Sequence, residues 1–327
     1  MSRDKPVTAV EQSRSGGQAK FVTGSTMRHV VVMTATGSIG LVAVFIVDAL
    51  NLFYISLLGQ QELAAAIGYA GTLLFFSTSV AIGLSIAATA LTARALGRGN
   101  RGEAREIAGA SIAYMILIMT ATVALSYPFL TDMVLMMGAK GETAKLATEF
   151  MQIVLPSLPI LGIGMCLSAL LRAVGDAKRA MYVTLGAGAL TAVLDPVFIF
   201  GFDLGIHGAA IATVISRFAL VGIGLYSLLR IHNLVAMPSL TIIRREIRPF
   251  LAIGLPALMT QIATPVGNTF VTTTMAEHGD AAVAGWAVVG RLIPVAFGAL
   301  FALSGAVGPI LGQNYGAKRY DRLISTM

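Results

Sequence analysis

The chain has 327 residues, of which 56% are hydrophobic and only 12% charged, against roughly 25% charged in typical soluble domains. With a mean hydropathy of +0.80, so few charges cannot coat a soluble fold. A globular soluble enzyme is excluded, and an integral membrane protein is left. The net charge of +7 would suggest nucleic acid in a soluble protein, but here the placement of the charges matters more than their sum.

Residues 1–27 are polar and hold no apolar core of the kind a signal peptide needs. They read as a disordered cytoplasmic tail. Eight apolar stretches follow, each near the ~20 residues that cross a bilayer: Val30–Leu58, Leu63–Ala93, Ile107–Leu130, Phe150–Leu171, Ala180–Phe202, Ile206–Leu229, Phe250–Ala276 and Ala281–Leu311. They are too long and too continuously apolar for barrel strands. Backbone groups in lipid must be satisfied within each segment, so the fold is all-α and polytopic.

The basic residues alternate along these spans. The tail, the loops after the second, fourth, sixth and eighth spans, and their flanks carry nearly all of them. Of the 23 Lys and Arg, only Lys140, Lys145, Arg217 and Arg291 lie elsewhere. The positive-inside bias puts the amino terminus and these loops in the cytoplasm of a cell (inner) membrane protein. A topology signal accounts for the basic excess, and nucleic acid is not expected as a partner. The lone Cys166 excludes an internal disulfide, and the four histidines show no metal-ligand spacing.

The first two and last two spans look alike. The turn Leu58-Gly59-Gln60-Gln61-Glu62-Leu63-Ala64 matches His278-Gly279-Asp280-Ala281-Ala282-Val283-Ala284. The loop Ala95-Leu96-Gly97-Arg98-Gly99-Asn100-Arg101 matches Asn314-Tyr315-Gly316-Ala317-Lys318-Arg319. The copies lie an even number of spans apart, so they share an orientation. Parallel repeats about an axis along the membrane normal occur in transporters.

Four ionisable residues interrupt the span interiors: Asp48, Asp195, Arg217 and Arg291. Each costs at least about 2.5–3.5 kcal/mol to insert near the bilayer centre. Asp48 and Asp195 fall at comparable depth in the outer halves of their spans. Two such carboxylates can take up and release a proton, or they can serve packing alone by accepting hydrogen bonds from Asn51 and Thr191, each one turn away. Gly97-Arg98-Gly99-Asn100-Arg101-Gly102 satisfies G-x-G-x-x-G but follows a membrane helix, so nucleotide binding is discounted.

Five motifs in order resemble the multidrug and toxic compound extrusion (MATE) family, nearest its DinF-like branch. They are Val47-Asp48-Ala49 with Leu58-Gly59, Arg172-Ala173-Val174-Gly175-Asp176, Leu194-Asp195-Pro196-Val197-Phe198-Ile199-Phe200-Gly201, Gly208-Ala209-Ala210-Ile211-Ala212-Thr213 and Gly312-Gln313-Asn314-Tyr315-Gly316-Ala317. The resemblance implies a MATE-type bundle of twelve helices in two lobes, of which about eight are present. It implies a cytoplasmic tail 1–27, a six-helix lobe 28–232, a linker 233–248 and a partial second lobe 249–327. It further implies antiport of cationic or amphipathic small molecules against protons or sodium ions, by a monomer without cofactor. Asp48 and Asp195 would carry the coupling ion, in a polar network with Asn51, Thr191, Thr213 and Asn268, and Arg291 would form a structural ion pair. The first span lacks the proline that bends it in some relatives. Thr264 stands nearest to where sodium-coupled members place a glutamate, which favours protons. The alternatives are a lipid-linked oligosaccharide flippase from the same superfamily, with only Arg217 and Arg291 available to meet a pyrophosphate, or a fragment that transports nothing.

Overall fold

The computed structural model describes residues 19–59, 61–276 and 280–327, without the side chains of residues 61, 269, 272–273, 276, 280–288 and 290–295. Within these the protein is a helical bundle with no strand. The first span is α1 (Thr26–Ser56) and the second α2 (Gln61–Gly97). The third is α3 (Arg101–Ser126), continued through a 3-10 turn into α4 (Leu130–Met136). The fourth is α5 (Gly141–Val154) and α6 (Leu158–Ala173), joined by another 3-10 turn. The fifth is α7 (Ala177–Pro196) with a π turn Val197–Gly201, and the sixth α8 (Gly205–Tyr226) with a π turn Ser227–Ile231. The seventh and eighth are α9 (Leu240–Ala276) and α10 (Asp280–Gly316), and α11 (Tyr320–Thr326) follows.

Three turns at the basic end are built alike. A glycine after the second and fourth spans takes a left-handed conformation (Gly99 φ 77°, Gly175 φ 86°). This lets the amides of Asn100 and Asp176 reach back to the carbonyls of Ala95 and Leu171, closing each helix in a Schellman-type motif. The next residue's side chain then caps the following helix: Asn100 Oδ1 accepts from the Glu103 amide at 3.0 Å and Asp176 Oδ1 from the Arg179 amide at 3.1 Å. After the eighth span the left-handed position falls on Lys318 (φ 57°), with the Arg319 amide donating to the Asn314 carbonyl. A side chain there costs about 1–2 kcal/mol that glycine avoids.

The fourth span is broken by Pro156, which has no amide to give. The guanidinium of the buried Arg217, on the sixth span, caps the break: Nη1 donates to the Val154 carbonyl at 2.9 Å and to Ser157 Oγ at 2.6 Å. The sixth span also lies hard against the π turn of the fifth. A Cβ at Gly208 would stand 2.6 Å from the Phe198 carbonyl, so only glycine permits this approach. After Asn233, which takes a left-handed turn (φ 43°), the chain passes without helix against the third span, where the Ala236 amide donates to the Arg105 carbonyl at 3.2 Å. α9 then begins at Leu240, inside the stretch read as linker, and continues through Pro249, Pro256 and Pro265.

Spans 1, 2, 7 and 8 meet as the repeat requires. A Cβ at Gly97 would fall 2.7 Å from the Gln313 carbonyl carbon and closer still to its oxygen. One at Gly316 would fall 2.9 Å from the Arg94 carbonyl carbon, again with the oxygen nearer. Residues 97 and 316 are 219 apart, as are 94 and 313, so the contact between spans 2 and 8 maps onto itself. The neighbouring contacts also correspond, with Gly83 against Leu258 between spans 2 and 7 and Gly37 against Ala302 between spans 1 and 8. A pseudo-two-fold axis therefore runs between spans 2 and 8. The other paired turn includes His278 and Gly279, which lie outside the described residues.

Candidate functional site

Asp195 sits at the end of α7, immediately before Pro196 and the π turn, and is fully buried. Its Oδ2 accepts from Asn51 Nδ2 at 2.9 Å across 144 residues of sequence. Its Oδ1 is buried and finds no hydrogen-bond partner among the described residues. Leaving such an acceptor unpaired costs roughly 1–3 kcal/mol, more for a charged group. A π turn next to a buried, half-satisfied carboxylate is the kind of local irregularity that concentrates at functional sites.

Asp48 lies one helical turn before Asn51 on the first span, and its side chain is exposed rather than packed. The structure thus pairs Asn51 with Asp195 rather than with Asp48. The hydroxyls of Thr191 and Thr213 each donate to the carbonyl four residues back in their own helix, Ala187 at 3.1 Å and Ala209 at 2.9 Å. Asn268 is exposed on the seventh span. The side chain of Arg291 lies outside the described residues. Two carboxylates therefore face different surroundings one turn apart in depth: Asp48 open, Asp195 closed and bridged by an amide. Among the described residues no group of His, Cys, Asp and Glu is arranged to hold a metal. Cys166 is a buried free thiol.

Two polar clusters were not singled out from the sequence. At the basic end, Asp176 accepts from His232 Nε2 at 2.8 Å and from Arg179. Burial alone would raise this carboxyl, but the hydrogen bonds from His232 and Arg179 outweigh it and hold it well below the usual carboxylate range. At the opposite end, His207 meets Glu149 at 3.1 Å between the sixth and fourth spans. The motif ending in Asp176 and the histidines at segment ends were the signals for them in the sequence.

Among the described residues, eight helices long and apolar enough to cross a membrane, a two-fold arrangement of spans and a half-satisfied carboxylate among them define a polytopic helical membrane protein. The family model MatE matches residues 35–197 and 256–327, most of the chain. The chain belongs to the MatE family. It is 27% identical over 302 residues to an FAD transporter of Shewanella oneidensis, covering 90% of this chain and 66% of that protein. It is 25% identical over 289 residues to the multidrug export protein MepA of Staphylococcus aureus, covering 86% of this chain and 63% of that protein. Its fold matches a mutant of the Vibrio cholerae MATE transporter VcmN with a TM-score of 0.87 and 25% identity, over 92% of this chain and 68% of that one. The chain spans about two thirds of the length of the curated relatives it matches.

Proposed function

We propose that the protein exports cationic or amphipathic small molecules in exchange for protons, working as a monomer in the cell membrane with its basic end in the cytoplasm. The buried Asp195 supports this reading most. One of its oxygens is held by Asn51 and the other has no partner, so a proton has a defined place to bind inside the bundle. The exposed Asp48, one turn away on the same helix as Asn51, is suited to meet a cationic substrate or to pass the proton on. Proton and substrate then compete for the same pair of acids, which is the differential affinity that exchange requires. Thr191, Thr213 and Asn268 would line the path, and Arg291 would serve an ion pair. Residues 28–232 would act as one lobe and the spans after Leu240 as part of the second. The flippase reading is weaker because Arg217 is already engaged by Val154 and Ser157.

The test is counterflow in proteoliposomes. An imposed proton gradient should drive uptake of a fluorescent cation, and Asp195→Asn and Asp48→Asn should each abolish it. Uptake unchanged in both variants would overturn the mechanism. Uptake driven by a sodium gradient alone would move the coupling to sodium, and flavin dinucleotide in place of the cation would test the cargo that the Shewanella relative suggests.

A further inference from the structure

The motif Gly312-Gln313-Asn314-Tyr315-Gly316-Ala317 has no part in the proposed coupling site, yet Gln313 and Asn314 are fully buried. Their partners include the residues just before the first span. The Phe21 amide donates to Gln313 Oε1 at 2.8 Å, and Gln313 Nε2 donates to the Ala173 carbonyl at 2.7 Å. One amide side chain therefore ties the amino-terminal segment and the end of the fourth span to the end of the eighth. Asn314 Nδ2 donates to the Phe21 carbonyl at 3.2 Å. From α11, Arg322 donates to the carbonyls of Phe21 at 3.0 Å, Thr23 at 3.3 Å and Gly24 at 2.8 Å. On the other side, Lys20 Nζ donates to the Gly175 carbonyl at 2.7 Å.

The Phe21 ring fills a separate small apolar cluster with Met33, Ala177, Ala306 and Ile310, from the first, fifth and eighth spans. Two glycines make the seat. Gly24 (φ 71°) turns the chain into the first span, and at Gly175 a Cβ would stand 2.7 Å from the Lys20 side chain. The segment thus crosses the junction between residues of the first lobe and the eighth span, at the basic end, with a plugged aromatic and hydrogen bonds on both sides.

We propose that residues 19–24 are a latch that holds the two lobes together at the cytoplasmic end, released whenever that end opens. This rests on the exchange proposed above, which requires the two lobes to open and close at each end in turn, but its test needs neither proton nor substrate. The latch works as a bidentate fastening. Gln313 and Arg322 grip its backbone from the second lobe, Lys20 reaches the first, and Phe21 blocks the seam between them. The lobes cannot part at this end while all three contacts persist.

The experiment uses the full chain in proteoliposomes, in a Cys166→Ala background with Ala87→Cys as reporter. Ala87 is buried in the second span and faces Gly254 of the seventh, away from the latch. Two readouts are taken from the cytoplasmic side: tryptic cleavage after Lys20, and labelling of the reporter by a membrane-impermeant maleimide. Arg322→Ala and Phe21→Ala, each checked for an unchanged elution profile, are expected to raise both rates about tenfold or more, as befits losing hydrogen bonds to a charged group or a buried ring. Arg322→Lys should fall between. Faster cleavage with no change in reporter labelling would show a tethered segment that gates nothing, and would overturn the proposal. So would cleavage that stays at the parental rate in both variants. Neither readout uses a proton gradient or a substrate, so failure of gradient-driven uptake with both rates raised as expected would count against the proton-coupling reading alone.

Discussion

Adding one methyl group at Gly316 probes the seam between spans 2 and 8 directly. The new Cβ would sit 2.9 Å from the Arg94 carbonyl carbon, where an ordinary contact between carbons needs about 3.5–4.0 Å. The helices must separate by roughly 1 Å, and overpacking of this kind typically costs about 1–3 kcal/mol. On the latch proposal the contact is made only while the basic end is closed, so the strain would fall on that state. At 1.4 kcal/mol per tenfold, a strain of about 2 kcal/mol shifts the closed-to-open ratio roughly 30-fold. Gly308→Ala is the control, since it lies on the same span with nothing within 4 Å of the added atom. Reporter labelling at position 87 and thermal midpoint in detergent are the measurements. Gly97→Ala should behave like Gly316→Ala, and the double variant should be less severe than the sum, because one separation accommodates both methyl groups. If Gly316→Ala matches Gly308→Ala in both measurements, the seam does not constrain the closed state and the reasoning fails.

Other substitutions test separate parts of the structure. Arg217→Met removes the charged donor to the Val154 carbonyl and Ser157 Oγ, leaving Ser157 alone to cap that carbonyl, and should lower stability by about 1–2 kcal/mol, seen as a lower thermal midpoint, with Arg217→Lys recovering part. Asn51→Leu leaves both Asp195 oxygens without a donor and should cost about 1–3 kcal/mol and slow cation uptake, whereas Asn51→Gln should retain more of both. Asp176 is held low in the folded protein, so its contribution is fully present above the unfolded carboxylate value of about 4 and fades as pH falls below it. Asp176→Asn should accordingly lower the midpoint at pH 7 and flatten its decline between about pH 4 and pH 2, measured in detergent by thermal unfolding.

The spans were legible because lipid imposes a length and leaves no alternative to the helix, and runs such as Ile206–Leu229 meet that demand openly. The irregular turns were legible only as prolines. Pro156 announces a break, but nothing local says that Arg217, sixty residues on, joins Ser157 in capping it. The acids were legible as charges where charge is expensive. Which amide each would meet was not, since rotation and register between α1 and α7 decide that Asn51 faces Asp195. Thr191 and Thr213 illustrate the same limit: a hydroxyl in a membrane helix can always bond the carbonyl a turn behind it, and both do. Gly97 belonged to a phosphate-loop pattern by spacing, whereas its surroundings make it a packing residue. The buried Gln313 and Asn314 were visible as a motif but silent about their partners, because those partners lie almost the whole chain away.

The seam between spans 2 and 8 has the form of an isologous interface within one polypeptide: a glycine on each side meets the same backbone position of the other. Such a surface is complementary to itself. A single half carrying a glycine at this turn would already possess everything needed to pair with an identical copy. The contact therefore requires no co-adaptation of two different surfaces. An ancestral half-length protein could have closed its membrane end as a symmetric dimer before the two copies shared a chain.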